Sequence, residues 1–158
     1  MTIPPEPAFP EEMPKAGNVK LLKFPLKTDP RGSLVFGEYP RHLPFQPKRF
    51  FMTYDVPTEG VRGEHGHKTL EQIIICLKGS LAVTVDDGSA RERYVLDCPN
   101  VGIYIPPLVW GIQSEHSADC VMLVLASDVY DESEYLRDYA EFLSYVKTGR
   151  APLATGEE

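Results

Sequence analysis

The chain has 158 residues and a mass of 17.7 kDa, with 42% hydrophobic and 25% charged side chains, a composition that supports one domain around a single core. Its formal charge of −7 and pI near 5.1 exclude a nucleic-acid or anionic-membrane partner, because a phosphate surface needs a basic face to meet it. No apolar run is long enough to span a bilayer, and the N-terminus lacks the basic-then-apolar order of a secretory signal, so a cytoplasmic location is expected.

In chain order, residues 1–16 carry five prolines and no periodic apolar pattern, which predicts an irregular lead-in. Strand-type runs follow at 19–24, 33–39, 49–54, 73–77, 81–86, 91–96, 102–105 and 120–126, with Gly and Pro at the joints. Short strands at that spacing are the signature of an all-β sandwich or barrel. Lys78-Gly79 and Asp86-Asp87-Gly88-Ser89 predict two tight hairpins, each placing a Gly where positive φ is wanted. In Leu81-Ala82-Val83-Thr84-Val85-Asp86 every second residue is apolar, the pattern of a barrel wall buried on one face.

Near residue 131 the period changes. Asp131 or Ser133 reads as a helix cap followed by acidic residues, and Tyr135, Tyr139, Phe142, Leu143 and Val146 form a helical stripe. One C-terminal helix over about 132–147 is expected to lie on the barrel, with 149–158 as a flexible tail. A single domain therefore spans 17–148. Cys76, Cys98 and Cys120 are widely spaced, without CxxC or Cys/His ligand spacing, and read as small hydrophobes rather than disulfide partners or zinc ligands.

The chemistry-bearing segment is Arg62-Gly63-Glu64-His65-Gly66-His67-Lys68-Thr69-Leu70-Glu71-Gln72. Residues i and i+2 of a strand share a face, so His65 and His67 project together, and Glu71 shares their parity if the strand continues without a bulge. Two neighbouring imidazoles suit proton transfer at carbon next to a carbonyl, one neutral as base and one delivering the proton. The developing oxyanion needs donors, for which Arg62, Gln72 and Tyr54 are the candidates. His65, His67 and Glu71 also make a possible two-histidine, one-carboxylate set for iron.

The spacing His-x-His, Glu71, Gly79 resembles the first motif of the cupin superfamily, and Gly102 to Trp110 resembles the second. Metal-binding cupins add a histidine from the second motif; after Trp110 this chain has Gly111, and His116 lies in a polar stretch that reads as an exposed turn. The expectation is a site without a metal or other cofactor. The blocks Pro30-Arg31-Gly32-Ser33-Leu34, Arg62 to Gln72, Asp86-Asp87-Gly88, Pro106 to Trp110 and Asp119 to Tyr135 resemble the dTDP-4-keto-6-deoxyglucose 3,4-ketoisomerases, which are similar to the C-terminal part of WxcM-type proteins. The likeness covers about residues 19–147.

That resemblance implies an RmlC-like jelly-roll cupin that moves the keto group of a dTDP-linked sugar from C4 to C3 through an enediol, feeding deoxyamino-sugar biosynthesis. It implies His65 and His67 as catalytic residues, and Arg31, Tyr54, Arg62, Lys68, Glu71, Gln72 and Trp110 as substrate-binding residues. It also implies a homodimer, with the strand near 19–24 as a candidate for exchange between subunits. Gly111 departs from the polar or basic residue implied there, which leaves the gluco or galacto outcome at C4 open. The competing readings are a 3,5-epimerase on the same substrate class, a metal-dependent cupin oxygenase, and a sugar-nucleotide-binding module without catalysis.

Overall fold

The computed structural model describes residues 16–149; the lead-in, Ala16 apart, and the tail beyond Gly149 lie outside the described residues. Twelve strands form: β1 (Lys20–Lys23), β2 (Leu26–Asp29), β3 (Gly32–Val35), β4 (Arg49–Tyr54), β5 (Arg62–His67), β6 (Gln72–Lys78), β7 (Leu81–Asp86), β8 (Arg91–Leu96), β9 (Val101–Ile105), β10 (Trp110–Ser114), β11 (Val121–Ala126) and β12 (Tyr135–Leu136). One helix, α1 (Tyr139–Thr148), closes the described chain.

Two five-stranded antiparallel sheets, ordered β1-β9-β6-β11-β4 and β12-β5-β10-β7-β8, face each other as a jelly-roll barrel of the cupin type. Strands β2 and β3 form a separate hairpin. The core between the sheets is built from alternate residues: Ile74 and Cys76 on β6, Val83 and Val85 on β7, Ile103 and Ile105 on β9, Met122 and Val124 on β11. Burying each aliphatic side chain contributes about 1.5–3 kcal/mol, which makes this shared interior the main stabilising feature. Ala16 and Val19 are already part of it, so the chain enters the core before β1 begins.

Strand β6 reads Gln-Ile-Ile-Ile-Cys because both of its faces are covered. Its outward Ile73 and Ile75 pack under Phe24, Leu43 and Phe45 from the segment between β1 and β4. At the β4 edge of the same sheet that cover ends, and Phe50, Met52 and Tyr54 stand outward at 66%, 50% and 66% exposure. On the other sheet, α1 covers the outer face: Phe142 is fully buried against Trp110 and Leu136.

Three expectations are corrected. The Lys78-Gly79 turn does have positive φ (72°), but it links β6 of one sheet to β7 of the other instead of closing a hairpin. Strand β6 pairs with β9 and β11, while Ser80 exchanges hydrogen bonds with Ser117. The Asp86–Ser89 turn is the expected hairpin, joining β7 to β8. The helix starts at Tyr139, because Asp131 caps only a short turn over Glu132–Glu134 and Tyr135–Leu136 then pair with β5; Asp138, accepting from the Glu141 amide at 2.9 Å, is the cap of α1. His116 is not in an exposed turn: it is 1% exposed, in a loop tied down beside it by the hydrogen bonds between Ser117 and Ser80.

Candidate active site

Strand β5 owes its geometry to its two glycines. Gly111 lies opposite His65 and Gln113 opposite Arg62, so β5 holds one extra residue in that stretch, a bulge at Gly63 and Glu64 with Gly63 at φ 68°. The bulge restores Arg62 to the face of His65 at the far end of the strand. Gly66 serves the other face: a Cβ there would lie 2.9 Å from the Phe142 ring, so glycine lets α1 sit directly on the strand that carries both histidines. Gly111 leaves room inside, since a Cβ would meet only the Gly63 and His65 carbonyl oxygens at 3.6 and 3.8 Å.

The imidazoles of His65 and His67 meet edge to face with centroids 4.8 Å apart. Tyr135, directly opposite His67 on β12, closes the group at 4.9 Å from His65 and 4.7 Å from His67. Arg137 lies over the Tyr135 ring at 4.5 Å and is ion-paired to Glu132 at 2.8 Å. Arg49 of β4 approaches from the opposite sheet, its Nη2 donating to the Tyr135 hydroxyl at 3.4 Å and its guanidinium resting near the Tyr130 and Phe51 rings. Below the imidazoles a small cavity is lined by Gln72, Gly111 and Gln113 over a floor of Ile74, Val83 and Val109.

This environment keeps both rings neutral. Burial lowers the His65 pKa to about 4, with Arg137 acting in the same direction and Glu132 against it. Burial lowers His67 to about 3, reinforced by His65, Arg49 and Arg137. His67 is 4% exposed and its Nε2 has no hydrogen-bond partner among the described residues, so an unsatisfied ring nitrogen is held at the pocket. A neutral imidazole at every physiological pH is a base in waiting, and cations beside it favour a nearby anion.

Of the residues expected at the site, His65, His67 and Gln72 come together, with Arg62 on the same face farther along β5. The others lie elsewhere. Strand β5 ends at His67, and Glu71 turns its carboxylate outward to accept from the Tyr104 hydroxyl at 2.6 Å, so no carboxylate joins the two imidazoles in a metal triad. Lys68 alternates away from His67 and places its Nζ over Tyr145 of α1 at 5.1 Å. Trp110 is packed between Tyr139 and Phe142 beneath the helix. Tyr54 faces outward on β4, and Arg31, with a 90% exposed side chain, is paired to Asp29 at the tip of the β2–β3 hairpin. Sequence reasoning missed Arg49, Tyr130, Tyr135 and Arg137; an arginine opening a strand and a Tyr-x-Arg taken for a helix start were the available signals.

Residues 17–147 match the WxcM-like C-terminal (FdtA) family. The chain belongs to this family. It is 46% identical over 127 residues to the TDP-4-oxo-6-deoxy-alpha-D-glucose-3,4-oxoisomerase of Aneurinibacillus thermoaerophilus, covering 80% of this chain and 91% of that one. A 3,4-ketoisomerase from Helicobacter canadensis superposes with a TM-score of 0.80 at 41% identity, over 82% of this chain and 98% of that chain. The 3,4-ketoisomerase QdtA of Thermoanaerobacterium thermosaccharolyticum, solved as a mutant with TDP-4-keto-6-deoxyglucose bound, superposes with a TM-score of 0.80 at 38% identity, over 82% and 94%. Like these relatives, the protein is an isomerase. Among the described residues no helix is long and apolar enough to cross a membrane.

Proposed function

We propose that the protein is a cytoplasmic sugar 3,4-ketoisomerase that converts dTDP-4-keto-6-deoxy-D-glucose to a dTDP-3-keto-6-deoxyhexose for deoxyamino-sugar biosynthesis. The observation that carries this reading is the pair of imidazoles, His67 buried and His65 half-buried, 4.8 Å apart and lining one pocket. One imidazole removes the C3 proton; the C–H pair becomes the C3–C4 double bond and the carbonyl pair moves onto O4, giving an enediolate. Transfer of the hydroxyl proton from O3 to O4 and return of a proton to C4 leave the ketone at C3. The proton taken up by the first imidazole passes to the second, which delivers it to C4 directly or through water, so that both rings end neutral as they began. Atoms and electrons balance without an external oxidant, as an isomerisation requires, and the chain's own residues supply both base and acid without a metal.

Gln72 and Arg62 line the same face and are proposed to hold the substrate's polar groups, the guanidinium being suited to a diphosphate oxygen. The outward face of β4, with Phe50, Met52 and Tyr54 exposed, supports assembly of two copies, since a monomer rarely leaves large aromatic residues uncovered along a sheet edge. In that dimer the exposed β2–β3 hairpin is the segment able to carry Arg31 to the second copy.

The test is incubation of the purified protein with dTDP-4-keto-6-deoxyglucose in deuterium oxide, followed by NMR. Exchange at C3 and migration of the ketone to C3 are expected. Retention of the C4 ketone with inversion at C3 and C5 would instead identify a 3,5-epimerase, and bound substrate without exchange a binding module. Light scattering is expected to show a dimer at micromolar concentration; a monomer there overturns the assembly.

A further inference from the structure

The enediolate carries a full negative charge, and of the donors expected from the sequence only the uncharged Gln72 stands at the pocket. Tyr54 faces outward, and Arg62 stands at the far end of β5 from His67. The structure supplies a different group. On the inner face of the β4-bearing sheet, Ala126 of β11 lies opposite Arg49 on one side and Gln72 on the other. The three form a row across the sheet, with the small alanine side chain between two long polar ones.

Arg49 has unusual company for a partly buried cation. Among the described residues no carboxylate pairs with it; its neighbours are the Phe51 and Tyr130 rings, with Cζ 5.6 and 5.4 Å from their centroids. Its Nε is buried and makes no hydrogen bond, and its Nη2 reaches the Tyr135 hydroxyl only at 3.4 Å, beyond the usual range for N–H···O. A buried donor without an acceptor is costly, and a buried charge without a counter-charge more so. His67 Nε2 is likewise without a partner, and Tyr135 stands between the two, its ring 4.7 Å from His67 and its hydroxyl 3.4 Å from Arg49 Nη2. An orphaned guanidinium donor and an orphaned imidazole nitrogen on either side of one tyrosine define a place for a ligand that both loses a proton and gains negative charge.

We propose that Arg49 is a catalytic residue whose guanidinium donates to the sugar's O3 and O4 as charge develops in the enediolate. The proposal rests on the ketoisomerase reading. A planar fork spans two vicinal oxygens, so the same cation serves while the charge moves from O4 to O3. The aromatic clamp fixes the side chain in advance, so little reorganisation accompanies the reaction.

The variants Arg49→Met and Arg49→Lys decide it, with wild type alongside. For Arg49→Met, kcat is expected to fall about 100- to 1,000-fold, the usual loss for an oxyanion donor, with KM within about threefold. The rate of C3 proton exchange in deuterium oxide should fall in parallel, and the affinity for TDP alone, measured by calorimetry, should stay unchanged. Arg49→Lys keeps the charge without the fork and is expected to recover part of the loss. Thermal melting checks folding; if the Met variant does not fold, the Lys variant decides, and full activity there overturns the proposal. A Met variant within tenfold of wild type in kcat overturns it, and so does a loss of TDP affinity matching the loss in kcat/KM, which would make Arg49 a diphosphate clamp. An inactive wild type overturns the ketoisomerase reading itself, and this proposal with it.

Discussion

Histidines occupy two places in the same barrel. His65 and His67 are paired under Tyr135, while His116 sits at the other end, by Arg62, 1% exposed and with neither ring nitrogen making a well-formed hydrogen bond. Burial is the largest cause of a lowered pKa in all three, and for His116 a weak contact with the Gly60 backbone pulls the other way. What separates them is company. The pair opens on a cavity and is flanked by two arginines and a phenol; His116 is buried in a loop. The two places therefore differ in what stands beside the imidazole among the described residues, a cavity and a tyrosine ring at one and neither at the other.

The sharpest way to break that comparison is substitution at both ends. His65→Asn and His67→Asn are expected to lower turnover about 100- to 10,000-fold while remaining folded, whereas His116→Leu keeps turnover within about threefold. Steady-state kinetics on the three variants checks this; a His116→Leu enzyme as poor as the others sinks the distinction.

Acid sharpens it further. The folded rings have pKa values of about 4 and about 3, below the roughly 6.5 of an unfolded imidazole, so between those limits the unfolded chain binds more protons. Their contribution to stability is therefore fully present above about pH 6.5 and is lost as pH falls through that window. At about 1.4 kcal/mol per pKa unit, His65 alone accounts for ~3 kcal/mol at most. Urea midpoints measured from pH 7 to 4 should drop steeply in wild type and less steeply in His65→Asn; parallel curves would contradict the assignment.

Smaller effects are expected away from the pocket. Gly66→Ala presses a methyl into the Phe142 ring and should cost about 1–3 kcal/mol, read as a lowered melting temperature, because α1 has to move off β5. Glu71→Gln should change turnover less than about threefold and stability by about 1 kcal/mol, the value of its bond to Tyr104. A large loss of turnover in that variant would restore Glu71 to the site.

The fold was legible because its strands advertise themselves: alternation at β7, the apolar run of β6 and the Asp87-Gly88 turn each have a local cause. The His pair was legible for the same reason, since period 2 needs no tertiary knowledge. Glu71 was misjudged because parity holds only while a strand lasts, and β5 stops at His67. Tyr135 looked helical because its spacing to Tyr139 fits a helix, yet the open edge of β5 competes for that backbone and wins. Arg49, two strands away in space and sixteen residues before His65, belongs to the pocket only through the pairing of β4, β11 and β6, which no local pattern displays. His116 was read as exposed because its neighbours are polar, and a loop tied down by hydrogen bonds between Ser117 and Ser80 leaves no periodic trace.

Strand β12 has a bearing on how the protein could be taken apart. It contributes only Tyr135 and Leu136, but it places a ring against both imidazoles and leads straight into α1. A chain cut at residue 130 would keep both histidines and almost the whole barrel, with an open edge where that wall belongs. A synthetic peptide spanning 131–149 would bring the missing edge strand, the ring and the helix in one piece. The two halves would form a split enzyme whose signal reports the meeting of whatever proteins they are fused to.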